Sequence, residues 1–274
     1  MFYFLEYQIV ISFIGCILVA VLLGTVGTMV INNKLAFFSD ALGHCTFTGI
    51  ALGHFIGIKN YQISTILFAV LFAILIAYLV EKEKSSADTI ISIFSSTGLS
   101  LGIFILTLNK NLSSYSEFFF GDILSIKKNE VLGILFLIFI VFLFWIVLFN
   151  NFLISSLNKD LATSKLINFK FYRTLFMVII SILVSVTIKW VGILLINSLL
   201  TLPAAAARNI SKSMQQYMVF SIFFSILSGV LGFTISYFLE SSGTPVIVLF
   251  SSLIYLISHF MKKNKLISKL GEKR

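Results

Sequence analysis

The chain has 274 residues, 58% of them hydrophobic and 11% charged, with a mean hydropathy of +1.04 and a formal net charge of +9. A soluble domain carries about 25% charged residues, so this chain has too little charge to cover a water-facing surface of its size. A soluble enzyme, a disordered protein and a disulfide scaffold are excluded, and the composition is that of a polytopic membrane protein.

Backbone groups in lipid must bond internally, so each long charge-free run reads as a helix. A span needs roughly 20 apolar residues. The first run is 7–33. It has no basic n-region, Glu6 is the only charge before it, and no A-x-A site follows, so it reads as a membrane helix rather than a signal peptide. Cys16 lies within it and Cys45 within the next run. Their pattern makes neither a disulfide framework nor a CxxC metal signal, and both read as small buried hydrophobes.

The second run is 41–58, preceded by Phe38-Ser39-Asp40 and opening Ala41-Leu42-Gly43-His44. A separation of four puts Asp40 and His44 on one helical face. A carboxylate and an imidazole together suit a divalent transition metal such as Zn²⁺ or Mn²⁺, and two copies related by a dimer axis would supply four ligands. The same spacing also fits Asp40 as a helix cap bonded to His44 without metal, and spacing alone leaves both open. Gly49, Gly53 and Gly57 form a GxxxGxxxG stripe, which lets helix backbones approach closely. Packing within one subunit is favoured over a dimerising or pore-lining role. His54 falls about 80° off the Asp40–His44 face and is the weaker candidate for an ion path.

The third and fourth runs are 60–80 and 89–109, the latter with a second GxxxG at Gly98 and Gly102. Glu117 and Asp122 follow in a gap and read as solvated loop charges. The next run is 131–158. The stretch 174–207 is broken only by Lys189; as one helix it would be about 51 Å long, against a hydrocarbon core of about 30 Å. It therefore reads as two helices, 174–188 and 190–207, turning near Lys189-Trp190-Val191-Gly192. Lys189 would lie near the outer surface and snorkel.

The second of these ends in Pro203-Ala204-Ala205-Ala206-Ala207-Arg208. Pro203 interrupts the hydrogen-bond ladder, and the Ala-rich turn after it has high helix propensity without bulk. It suits a short helix fitting a cleft on a cytosolic partner, or simply the end of a span. The last runs, 213–239 and 241–261, flank Glu240, another solvated loop charge, and His259 reads as interfacial. The total is nine spans, or eight if one run is re-entrant. The organisation is an all-α membrane domain over 1–261 and a basic tail over 262–274.

Basic residues set orientation. With the tail inside, the inner gaps hold Lys34, Lys82, Lys84, Lys159, Lys165, Lys170, Arg173, Arg208, Lys212 and six tail residues, fifteen in all; the outer gaps hold Lys59, Lys110, Lys127, Lys128 and Lys189. The bias puts the carboxyl terminus in the cytosol. The basic residues form no single folded face, so they read as membrane anchors and not as a nucleic-acid surface. GxSxG, HExxH and GxxxxGK[ST] are all absent, so any ATP chemistry belongs to another subunit.

Several segments together resemble the permeases of bacterial metal-ion ABC importers, the family for zinc, manganese and iron. They are Gly24-Thr25-Val26-Gly27-Thr28, the stretch from Lys34 to His44, Phe120-Gly121-Asp122-Ile123-Leu124, the stretch from Val191 to Arg208, and Thr244-Pro245-Val246-Ile247-Val248-Leu249. The resemblance implies a homodimer around a central path in the bacterial inner membrane, two cytosolic ABC ATPase subunits and an extracytoplasmic metal-binding protein. It implies a transport subunit without a resident cofactor, Asp40 and His44 as the family's acidic-x-x-x-His metal element, and Pro203, Ala204, Ala205, Ala206, Ala207 and Arg208 as the ATPase-coupling interface. Ser242 stands where the family usually has a second proline before Pro245. The competing classes are an ion-coupled secondary carrier, which usually has mid-span acids, and a membrane-embedded zinc hydrolase, which would need more ligands than three histidines easily supply.

Overall fold

The computed structural model describes residues 2–58, 60–82, 86–108, 121, 123, 126–157, 165 and 168–271. These form nine helices and no strand: α1 (Phe2–Asn32), α2 (Ala36–Ile56), α3 (Tyr61–Lys82), α4 (Ala87–Leu108), α5 (Lys128–Leu157), α6 (Phe169–Val191), α7 (Ile193–Ile210), α8 (Met214–Phe238) and α9 (Gly243–Gly271). Eight of them are long and apolar enough to cross a membrane; α2 is not among those eight. Asp40, His44 and His54 make α2 too polar to qualify by composition, although its 21 residues reach about 32 Å.

The expected turn before α7 is present. Gly192 caps α6 with φ 79° and ψ 160°, a region that only glycine adopts comfortably. Several boundaries differ from the charge-bounded reading: α2 begins at Ala36 and the last helix continues to Gly271, into the basic tail. Helix α6 begins at Phe169 and takes in Lys170 and Arg173, because Lys170 pairs with Glu81 at the end of α3. Helix α7 runs without a break through Pro203 to Ile210. The ladder loses one donor there, but the helix continues because flanking turns hold it, so Pro203 starts no separate short helix.

The chain forms two compact units. One comprises Met1–Ile31, Asp122–Phe139 and Leu194–Arg274. Its helices meet through small residues, as close packing in lipid requires. A methyl group on Gly24 would come within 2.9 Å of Ser225 Cβ, and Ser221 Oγ donates to the Gly24 carbonyl at 2.7 Å. Gly27 lies so close to the Leu200 carbonyl of α7 that no side chain fits between them. Gly232 makes the corresponding approach to Ile247, locking α8 to α9.

The other unit comprises Asn32–Gly121 and Ile140–Ile193. Here α2 packs against α3, α4 and α6. The two GxxxG stripes act as packing surfaces within the chain. Gly49 and Gly53 abut Thr65, Phe68 and Ser64 of α3, with Ser64 Oγ donating to the Gly49 carbonyl at 2.6 Å. Gly98 of α4 abuts Cys45, and Thr48 Oγ1 donates to the Gly98 carbonyl. Gly57 departs from the stripe: it is the left-handed C-cap of α2, at φ 81°, with open space around it.

At one end of this unit a cavity of about 340 Å³ is lined by Lys34, Ala87, Asp88, Ser155, Phe169 and Arg173 among others. The starts of α2, α4 and α6 and the end of α5 therefore share one side, as the alternation of spans demands. Helices α2 and α4 consequently run parallel.

Candidate metal site

Helix α2 is buried on most of its circumference: Phe38, Ala41, Leu42, Cys45, Ile50 and Ala51 are each at most 1% exposed. Phe37, Asp40 and His44 interrupt this burial at spacings of three and four, forming one accessible stripe. The side chains of Asp40 and His44 retain 52% and 31% of their exposure.

Asp40 is not a helix cap. The helix begins at Ala36, its N-cap position is Leu35 without any side-chain cap bond, and Asp40 sits a full turn inside. The capping alternative therefore fails, for the simple reason that the helix starts five residues before the charge-free run does. Asp40 Oδ2 lies 3.6 Å from His44 Nε2, a charge contact just beyond hydrogen-bond length. On the other side of the ring, His44 Nδ1 is buried and has no hydrogen-bond partner among the described residues. Asp40 and His44 thus form one polar pair on the accessible stripe, with the Nδ1 side of the imidazole unengaged. Among the described residues no three His, Cys, Asp or Glu side chains converge.

The other singled-out residues fall elsewhere. His54 is exposed in the last turn of α2. Lys189 Nζ lies 6.0 Å from the centre of the Tyr61 ring. Glu240 occupies the turn after α8 with φ 50°, and His259 stacks near Tyr255 and Phe260 at 6.3 and 6.2 Å. Glu117 and Asp122 lie outside the described residues.

The segment Pro203 to Arg208 lies within the last half of α7. Ala204, Ala206 and Ala207 are fully buried in their own unit, Ala205 is half-buried and Arg208 is exposed. The small side chains thus serve the chain's own packing, with Ala204 against Gly27. Arg208 reaches the Ile31 carbonyl at 3.5 Å, and Asn209 bonds Ser258 of α9 at 3.1 Å, which fixes the end of α7.

Residues 6–262 match the ABC 3 transport family. The high-affinity zinc uptake system membrane protein ZnuB of Buchnera aphidicola subsp. Acyrthosiphon pisum is 32% identical over 248 residues, covering 90% of this chain and 94% of its own. The manganese import system permease protein ScaB of Streptococcus parasanguinis is 30% identical over 93% of this chain and 92% of its own. Among solved structures, PsaBC from Streptococcus pneumoniae in complex with Fab superposes with a TM-score of 0.81 at 29% identity, over 94% of both chains. The matched span leaves out the first five and the last twelve residues, and the chain belongs to the ABC 3 transport family.

Proposed function

We propose that the chain is the membrane permease of an ATP-driven importer for a divalent metal, Zn²⁺, Mn²⁺ or Fe²⁺. Two copies form the translocation path in the bacterial inner membrane, with the carboxyl terminus in the cytosol. Cytosolic ABC ATPase subunits drive it, coupling through the end of α7, where Ala205 and Arg208 are the accessible members of the Pro203–Arg208 segment. An extracytoplasmic binding protein delivers the ion. The observation that carries this reading is the Asp40–His44 stripe, an ionisable pair on the accessible face of a helix otherwise packed into a membrane protein of this family. Such a pair is costly in lipid and belongs on an ion pathway. Each copy would contribute Asp40 and His44 to a transient, weak site, because a carried ion must also leave.

The test is uptake of radioactive Zn²⁺ and Mn²⁺ into vesicles that hold the permease, ATPase and binding protein. Asp40→Asn keeps the shape and removes the charge; His44→Ala removes the imidazole. Both should reduce uptake to background while insertion and assembly persist. Uptake at the unaltered rate in both variants would remove the pair from the ion path.

A further inference from the structure

Two cavities lie among the helix ends of the second unit, and Phe169 and Arg173 line both. The larger, of about 340 Å³, also has Lys34, Asp88, Ser155 and Ser156 in its wall. The smaller, of about 150 Å³, is closed on its far side by Glu81 and Lys170. Arg173 stands in the second turn of α6 and is half-buried. Its neighbour Lys170 takes the carboxylate within reach, pairing with Glu81. The Arg173 guanidinium makes no hydrogen bond or ion pair with a described residue, and neither does the Lys34 ammonium. A guanidinium presents five donors and cannot shed its charge, so a half-buried one without partners calls for an anion.

The sign of the larger cavity is set by its side chains. Its wall takes the first residues of α4 and α6 but the last turns of α1 and α5, so the partial charges of the helix ends offset one another. Among the described residues that leaves Lys34 and Arg173 against Asp88. The Ser155 and Ser156 hydroxyls donate to the Phe152 and Leu153 carbonyls, so donation into the cavity falls to the two cations. Lys34 is held there by the turn between α1 and α2, where it takes the left-handed backbone at φ 56°.

The level of the cavity in the membrane names the class of anion. It sits where spans begin and end, at the depth of lipid headgroups. Basic pockets between the ends of membrane helices bind phosphate-bearing headgroups, and the arginine fork matches two phosphate oxygens at once.

We propose that Arg173 and Lys34 bind a phosphate group in this cavity, carried by an anionic lipid of the adjoining leaflet. The bound headgroup bridges the α1–α2 turn to the start of α6. Asp88 borders the site and repels the anion, which keeps the affinity moderate. The site uses neither Asp40 nor His44, so it stands whatever ion the protein carries.

The purified full chain in detergent is titrated with dioctanoylphosphatidylglycerol, dioctanoylphosphatidylcholine and inorganic phosphate. Tm is followed by tryptophan fluorescence, and bound lipid is counted by native mass spectrometry. Phosphatidylglycerol should raise Tm and stay bound; phosphatidylcholine, without net charge, should bind about tenfold more weakly. Arg173→Gln should weaken phosphatidylglycerol binding about tenfold or more. Lys34→Gln, in an exposed turn, should weaken it several fold, and Asp88→Asn should strengthen it. Lys170→Gln, which alters only the smaller cavity, should leave it within about twofold. A Tm rise with inorganic phosphate as large as with the lipid, and lost in Arg173→Gln, would support the phosphate site but overturn the lipid as its source. No rise with any probe, or a rise unchanged in both Arg173→Gln and Lys34→Gln, would overturn the site. Weaker binding in Asp88→Asn would overturn it too, because Asp88 would then be the partner of Arg173 in solution. Should Arg173→Gln fail to fold, the opposite signs expected of Lys34→Gln and Asp88→Asn decide the question.

Discussion

The contact that sets α4 beside the Asp40–His44 pair is carried by Gly98, and its replacement by alanine gives a test with a sign change. A methyl group at position 98 would meet Cys45 Sγ at 2.8 Å, while Thr48 Oγ1 and Cys45 Cβ stand at 3.7 and 3.9 Å. The sulfur is buried and has nowhere to retreat, so the overpacking costs about 1–3 kcal/mol. Alanine in a helix interior recovers about 0.5–1 kcal/mol, leaving a net loss of about 1 kcal/mol or somewhat more. At about 2–4 °C per kcal/mol for a chain of this size, Gly98→Ala should lower Tm by several degrees. In a Cys45→Ala background the obstructing sulfur is gone and the remaining neighbours are at ordinary contact distance. There Gly98→Ala should raise Tm, by about 1–4 °C, because only the helix-propensity gain remains. The four proteins of the cycle are heated in detergent while the fluorescence of Trp145 and Trp190 is followed. The same shift in both backgrounds, or a rise in the unaltered background, would refute the steric account of the α2–α4 contact.

Ala205→Trp should leave Tm within a few degrees but uncouple ATP hydrolysis from uptake, whereas Ala206→Trp should prevent folding, since Ala206 is fully buried; equal stability of the two purified variants would contradict this placement. Gly192→Ala puts a side chain into a glycine-only backbone region at a cost of about 1–3 kcal/mol, and melting should show a correspondingly lower Tm; an unchanged melting temperature would mean that the α6–α7 turn relaxes. A reporter fused after Arg274 should behave as cytosolic, and strong activity of a periplasmic reporter at that point would invert the orientation.

Spans were legible in the sequence because lipid forbids unpaired backbone and charge, so the gaps between charges mark helix ends. The same rule misplaced the ends where a charge is itself accommodated. Charge counting sets Asp40 at the very start of the second span, yet α2 begins at Ala36 and carries it a full turn inside, on an accessible stripe. Charge counting sets Lys170 and Arg173 in a gap, yet α6 includes them, Lys170 being paired with Glu81 at the end of α3. Pro203 looked like a break because a missing donor weakens the ladder, but the helix is held by Gly27 on one side and by the Asn209–Ser258 bond beyond. The pairing of Asp40 with His44 followed from i,i+4 spacing. Which face of α2 stays accessible did not, because it depends on how α3, α4 and α6 pack around that helix.

The polarity of α2 also bears on how the chain enters the bilayer. A charged residue near the middle of an isolated span costs about 2.5–3.5 kcal/mol on the insertion scale, and α2 carries one carboxylate and two imidazoles in 21 residues. It is sheltered by α3 and α4, which are synthesised directly after it, and by α6, which emerges only after residue 168. A nascent chain stopped just after α2 therefore lacks the helices that cover most of its circumference, while Asp40 and His54 face outward with or without them. The order of synthesis puts α3 and α4 directly behind α2, so the packing that covers most of its surface becomes available one hairpin later, and the side that carries Asp40 and His44 is the one those helices leave open.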